Sequence, residues 1–178
     1  MTCVVGIETK AGAIIGADSF IGSSAYADAK VSAKVYSRNG WTVGVAGSAR
    51  FANLLEHVFK WPKAPTTDDM GAVVRLAVDI AKAVSGDDLC FSTSSGQRSL
   101  ESELMIVVAG RIYTSGSNLG VYRSRRGYAA IGSGDQYALG ALHATRGQPP
   151  RARVVTALRA AAAHTPTVAG PFRILRVK

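Results

Sequence analysis

The sequence predicts an α+β layered domain in which pairs of helices cover stacked β-sheets. Three observations carry that prediction. Short apolar runs joined by tight turns open and close the chain; two stretches switch to helical periodicity; and each of those stretches holds two helices. The resulting order, ββββ-αα-βββ-αα-β, gives every sheet a face to bury beneath helices. The 178 residues form a single domain, residues 1–178. A composition of 47% hydrophobic and 19% charged residues is globular and excludes a disordered or fibrous chain. Folding at this length buries roughly 70% of the unfolded surface, so no disulfide staple is needed.

Residues 2–9 (TCVVGIET) are rich in Val and Ile and read as a strand. Lys10, Ala11 and Gly12 make a turn, and 13–17 return as a second strand, a hairpin signal. Strands over 31–36 and 41–46 flank Arg38-Asn39-Gly40, and Asn-Gly is the strongest short hairpin turn. The period then changes. Phe51, Leu54, Leu55, Val58 and Phe59 lie on one helix face, and Trp61-Pro62 ends that helix. Thr66, Thr67, Asp68 and Asp69 supply N-cap chemistry for a second helix reaching Val84. Its only polar stripe is Arg75, Asp79 and Lys82, so a covering on more than one side is expected, with a neighbouring subunit as the cover. A Ser/Gly-rich loop is expected over 92–99, and strands over 104–109, 111–115 and 128–131. Helices follow from Asp135 to Thr145 and from Ala152 to Ala163, and 172–177 closes the chain as a strand.

The net charge of +9 is unevenly spread. Residues 1–110 hold ten basic and eleven acidic side chains; residues 111–178 hold eleven basic ones against Asp135 alone. Such asymmetry raises nucleic acid or an acidic surface as a partner. The arginines are scattered over strands and helices without a binding motif, so no nucleic-acid partner is expected. No run of 18 apolar residues and no basic segment leading into an apolar one is present, so no membrane partner or secretory signal is expected and the location is read as cytoplasmic. Cys3 and Cys90 match neither a disulfide framework nor a zinc spacing, and no metal or cofactor is expected.

Candidate chemistry begins at Thr2. Methionine is trimmed when the second residue is small, and a free N-terminal threonine carries a nucleophilic hydroxyl beside its own α-amine base. That amine's reference pKa of about 7.7–8.0 suits work near neutral pH. Asp18 ends the second strand, and Lys34 sits among Val31, Ala33 and Val35, where a lysine is partly buried and needs a carboxylate. A neutral Thr2 amine kept so by Lys34, itself held by Asp18, is a coherent activation device; a structural ion pair is the plain alternative. Gly44-Val-Ala-Gly47-Ser48 ends a strand and opens a helix, where exposed N–H groups suit an oxyanion. Gly132-Ser133-Gly134 is a second strand-to-helix turn, with Ser133 able to reach a terminal amine. Neither turn is a nucleotide-binding motif.

Taken in order, Met1-Thr2, Gly16-Ala-Asp18-Ser19, Lys34-Val35, Gly44-x-x-Gly47 and Gly132-Ser-Gly-x-x-Tyr137-Ala138 resemble the proteasome β-subunit and HslV family of N-terminal-nucleophile (Ntn) hydrolases. The resemblance spans essentially the whole chain. It implies a four-layer αββα sandwich whose subunits assemble into homo-oligomeric rings, acting on peptides or unfolded proteins, and it admits an ATP-dependent unfoldase as partner. It also implies Thr2 as nucleophile, Asp18 and Lys34 as its activating pair, the Gly47 N–H as oxyanion donor and Ser133 beside the terminal amine. One departure stands out: where the family carries Asp-x-x-Ser, this chain has His164-Thr-Pro-Thr167, in which Thr167 can replace the hydroxyl and His164 is not a carboxylate.

Cys3 is rejected as nucleophile because its side chain points to the opposite face of the strand from Thr2. Cys90 is expected as a free thiol at a loop edge, His57 and His143 as surface or packing residues, and Val45 with residues 19–24 as pocket lining. The expected function is a threonine-type endopeptidase. A catalytically inactive ring subunit and a non-peptide amidase of the same fold remain open alternatives.

Overall fold

The computed structural model describes residues 2–22, 27–29, 33–94 and 96–178. The first strand, β1 (Val4–Thr9), turns through Gly12 into β2 (Gly12–Ala17), and the two pair antiparallel. A short hairpin, β3 (Phe20–Gly22) and β4 (Ala27–Ala29), follows. Next come β5 (Val35–Arg38) and β6 (Trp41–Gly47), joined by Asn39 and Gly40, both with positive φ. The expected strand over 31–36 starts later than read, and 31–32 lie outside the described residues.

Helix α1 (Ala49–Asn53) is capped by the Ser48 side chain and continues as one wide π-helical turn over Leu54–Val58. Helix α2 (Met70–Val84) is capped by Asp69, as the sequence suggests. Strands β7 (Phe91–Ser94) and β8 (Gln97–Leu100) form a hairpin where a loop was expected over 92–99. Their side chains between the two ends are mostly polar, so no apolar alternation announces them; Phe91 and Leu100 anchor the base. Cys90 corrects a second expectation. It lies in the core rather than at a loop edge, wholly buried among the side chains beneath α2.

The remaining elements are β9 (Ser102–Val108), β10 (Arg111–Ser115), β11 (Val121–Tyr122), β12 (Tyr128–Ile131), α3 (Asp135–Ala144), α4 (Pro150–His164) and β13 (Arg173–Val177). Two main sheets result, in the orders β12-β1-β2-β13 and β11-β10-β9-β6-β5.

Three apolar layers define the stacking. Tyr36, Val43, Ile106 and Tyr113 of the five-stranded sheet pack on Phe51, Leu55, Leu76 and Ile80 of the first helix pair. Val4, Ile15 and Ile131 of one sheet meet Val35, Met105 and Val107 of the other. Val5, Ile7 and Ile14 pack on Leu142, Val154 and Leu158 of α3 and α4. This is a four-layer αββα sandwich, and period-2 alternation along β1 sends Val4 inward between the sheets and Cys3 and Val5 outward to the helices.

Candidate active site around Thr2

Thr2 lies two residues before the start of β1 and is 4% exposed. By strand alternation it shares the side of Val4, so it stands where the layer between the sheets opens at one end. Cys3 faces the helix layer. Burial, with the Asp18 and Asp135 carboxylates adding to it, pushes the Cys3 thiol up to about 12. A thiol held protonated and buried is no nucleophile, which agrees with its rejection from the sequence.

Asp18 extends the β1–β2 pairing by one residue: its N–H donates to the Cys3 carbonyl at 3.3 Å, and the Cys3 N–H donates to Oδ1 at 2.9 Å. Its Oδ2 accepts the Phe20 N–H at 3.0 Å and Lys34 Nζ at 2.8 Å. Asp18 and Lys34 are 1% and 8% exposed, so this is a buried, charge-assisted pair. Lys34 is fastened in turn to β6, its carbonyl accepting the Val45 N–H at 3.0 Å. The spacing of 16 residues between Asp18 and Lys34 thus closes on one ion pair, and Lys34 lines a cavity of about 200 Å³ together with Thr2, Phe20, Ile21, Val45 and Thr167. Val45 and two of residues 19–24 are therefore lining, as expected; residues 23–24 lie outside the described residues.

Gly47 borders that cavity and a second one of about 700 Å³, which also holds Thr2, Ser48, Glu101, Glu103, Ser133 and Asp135. Its φ of +123° is a glycine conformation, and a Cβ there would stand 2.1 Å from the Glu101 carbonyl oxygen. The next N–H, that of Ser48, is occupied by the Glu101 carbonyl at 3.1 Å and by Ser102 Oγ at 3.0 Å.

The Gly132–Gly134 turn follows β12, the neighbour of β1 in the four-stranded sheet, and lies against Thr2. A Cβ on Gly132, whose φ is +90°, would come 2.2 Å from the Thr2 carbonyl oxygen. The Ser133 hydroxyl donates to that same oxygen at 3.4 Å, a long bond. The structure thus gathers Thr2, Asp18, Lys34, Gly47 and Ser133 at one end of the sandwich.

His164 is not there. It is exposed and stacks on Tyr137 with ring centroids 5.1 Å apart. Thr167 is there, with its hydroxyl buried and without a hydrogen-bond partner among the described residues. His57 and His143 are exposed surface residues. Sequence reading missed Glu103, whose Oε2 accepts the Gly132 N–H at 2.8 Å. Its only signal is a charge near the head of an apolar strand, and nothing local says that residue 132 lies opposite.

Among the described residues no group of three His, Cys, Asp or Glu side chains is placed to hold a metal ion. No described helix is long and apolar enough to cross a membrane.

Layer order and strand order together define the Ntn-hydrolase fold in its proteasome-like form. The particular solved structures it resembles are the following. The BPH of Thiobacillus denitrificans, in complex with epoxomicin, superposes with a TM-score of 0.82 at 19% identity over 99% of this chain and 100% of that one. Eukaryotic HslV from Trypanosoma brucei gives 0.71 at 19% identity, covering 98% of each chain. The Anbu complex of Pseudomonas aeruginosa, described as a helical assembly, gives 0.69 at 15% identity over 98% of this chain and 80% of that one. No protein-family model and no curated protein sequence matches the chain.

Proposed function

We propose that the protein is a threonine-type peptidase in which removal of Met1 exposes Thr2 as an N-terminal nucleophile. The observation that carries this reading is the convergence of the buried Asp18–Lys34 pair, the Gly47 backbone and the Gly132–Gly134 turn on one threonine. The Thr2 hydroxyl attacks the carbonyl carbon of a peptide bond while the Thr2 α-amine takes the hydroxyl proton. The Lys34 cation, held by Asp18, favours the neutral form of that amine, since a neighbouring like charge disfavours protonation. The tetrahedral oxyanion is stabilised by backbone N–H groups including that of Gly47. The amine returns the proton to the departing amine of the substrate, leaving an acyl ester on Thr2. Water, deprotonated by the same amine, then releases the acid. Thr167, through its hydroxyl, and Ser133 orient the terminal residue in place of a carboxylate at position 164.

Substrates are peptides or unfolded protein segments, and the likeness to the Anbu complex, itself a helical assembly, supports an oligomeric state, of which a ring of copies is the form proposed. The outer face of α2 supports it too, with Met70, Val74 and Val78 exposed at 42%, 44% and 46%. Thr2→Ala should abolish peptide hydrolysis by the assembled protein while leaving assembly intact; full activity in that variant would remove the proposal. The second reading is a non-catalytic ring subunit, favoured by the outward-facing His164. It predicts wild-type protein with no turnover and no adduct with a threonine-directed covalent inhibitor.

A further inference from the structure

We infer that Glu103 is a positioning residue for this site, its carboxylate holding the Gly132–Gly134 turn against the Thr2 backbone; the inference rests on reading Thr2 as the nucleophile. Glu103 is the second residue of β9, and Leu104 to Val108 behind it are buried. A half-buried carboxylate at the head of so apolar a strand loses hydration, and an accepted hydrogen bond must offset that loss. The bond it makes, from the Gly132 N–H at 2.8 Å, crosses between the sheets: β9 belongs to the five-stranded sheet, and Gly132 follows β12 in the four-stranded one.

A matching carboxylate sits at the opposite end. Glu8 of β1 accepts the Ile112 N–H of β10 at 3.0 Å and pairs with Arg111 at 3.2 Å and Arg123 at 3.3 Å. Each end of the sandwich is thus tied by a carboxylate of one sheet on a backbone N–H of the other. The difference is what the tied backbone touches. Glu8 is six residues along β1 from Thr2, about 20 Å at strand rise, whereas Gly132 is packed between Thr2 and β6. The Cβ that Gly132 lacks would meet the Thr2 oxygen at 2.2 Å and the Ala46 Cβ at 3.0 Å. The Gly132 carbonyl accepts the Asp135 N–H at 3.1 Å, which begins α3, and the neighbouring Ser133 hydroxyl reaches the Thr2 oxygen. Without Glu103 the part-buried Gly132 N–H loses its acceptor, and the turn can rotate away from Thr2. A displacement well under the size of an atom at the reacting residue is enough to slow acyl transfer.

The operative element is the accepted hydrogen bond, which a glutamine carbonyl can also take. Three variants of the full-length assembled protein decide the matter. Glu103→Ala should lower kcat about 10- to 100-fold, with KM and oligomeric state unchanged, and should speed hydrogen exchange at 132–134. Glu103→Gln should restore most of kcat and the slow exchange. Glu8→Ala, which cuts the tie at the far end, should lower Tm at least as much as Glu103→Ala while sparing kcat. The inference is overturned by fast exchange at 132–134 in wild type, by unchanged exchange in Glu103→Ala, by a kcat within twofold of wild type in Glu103→Ala, or by equal kcat losses at Glu8 and Glu103. Wild type without turnover counts against the Thr2 reading instead, and the exchange measurement still decides whether Glu103 holds the turn.

Discussion

Replacing Asp18 by Asn keeps the shape of the side chain and inverts half of its hydrogen bonding. The carboxylate accepts the N–H groups of Cys3 and Phe20 and the ammonium of Lys34, all at 2.8–3.0 Å. An asparagine can place its single oxygen either on Cys3 or on Phe20 and Lys34, and in each orientation its NH2 faces at least one N–H, donor against donor, while Lys34 loses its counter-charge. Breaking a buried charge pair from one side costs about 3–5 kcal/mol, and each charged hydrogen bond lost about 1.5–3 kcal/mol within that total. At about 2–4 °C per kcal/mol for a chain of this size, Tm should fall by roughly 10 °C. Lys34→Met is the informative comparison. It leaves the Asp18 carboxylate two backbone donors to satisfy it, so its loss of stability should be about half as large. Differential scanning calorimetry at neutral pH measures both, alongside peptide hydrolysis. Both variants should lose most of kcat, and the double variant should be no slower than the worse single, because residues acting as a unit are not additive. A Tm loss in Asp18→Asn equal to or smaller than that in Lys34→Met would refute the assignment of Asp18 as the hub.

Gly47→Ala introduces a Cβ at 2.1 Å from a carbonyl oxygen and asks alanine for φ +123°; kcat should fall about 10²- to 10³-fold as the donor is displaced, measured against Tm to separate chemistry from unfolding. The Cys3 thiol should resist alkylation in the native protein at pH 8. Because burial raises its pKa from the ordinary 9.0 to about 12, its share of stability is present below pH 9 and lost as pH rises towards 12. Melting curves across that window should decline less steeply for Cys3→Ala. Val74→Glu with Val78→Glu places charge on the exposed face of α2 and should shift the sedimentation profile towards smaller species without changing Tm by more than a few degrees; an unchanged profile counts against that face as an assembly surface.

Most of this fold is legible in the sequence because its signals are local. Apolar runs over 13–17 and 41–46, Asn39-Gly40, and the helical spacing from Phe51 to Phe59 each declare an element within one window. The β7–β8 hairpin is not declared, since its polar side chains carry no alternating apolar face and its stability comes from Phe91 and Leu100 at the base and Arg98 lying 3.9 Å over the Phe91 ring. The π-helical turn after Asn53 is likewise silent, because the same apolar spacing serves an α-helix. At the site, Thr2, Asp18 and Lys34 are legible through their order, which resembles the proteasome β-subunit and HslV family; taken singly, Asp18 and Lys34 read equally as a structural ion pair. Glu103 was not, because its partner is 29 residues away in another sheet and no periodicity reports contacts between sheets. The same holds for His164, whose sequence position suggests the site while its ring stacks on Tyr137 outside it. The basic C-terminal segment reads similarly. Of its arginines only Arg153 is buried, donating to the Leu142 carbonyl at 2.7 Å. Arg111 and Arg123 pair with Glu8 and Asp68, so part of the apparent excess is spent on holding the fold.

The most direct test is intact-mass spectrometry of the assembled protein before and after treatment with a threonine-directed covalent inhibitor, with the adduct mapped by fragmentation. The account predicts a mature chain lighter by one methionine, carrying a single adduct on Thr2 that disappears in Thr2→Ala. A chain that retains Met1, or an adduct on any residue other than Thr2, would contradict it.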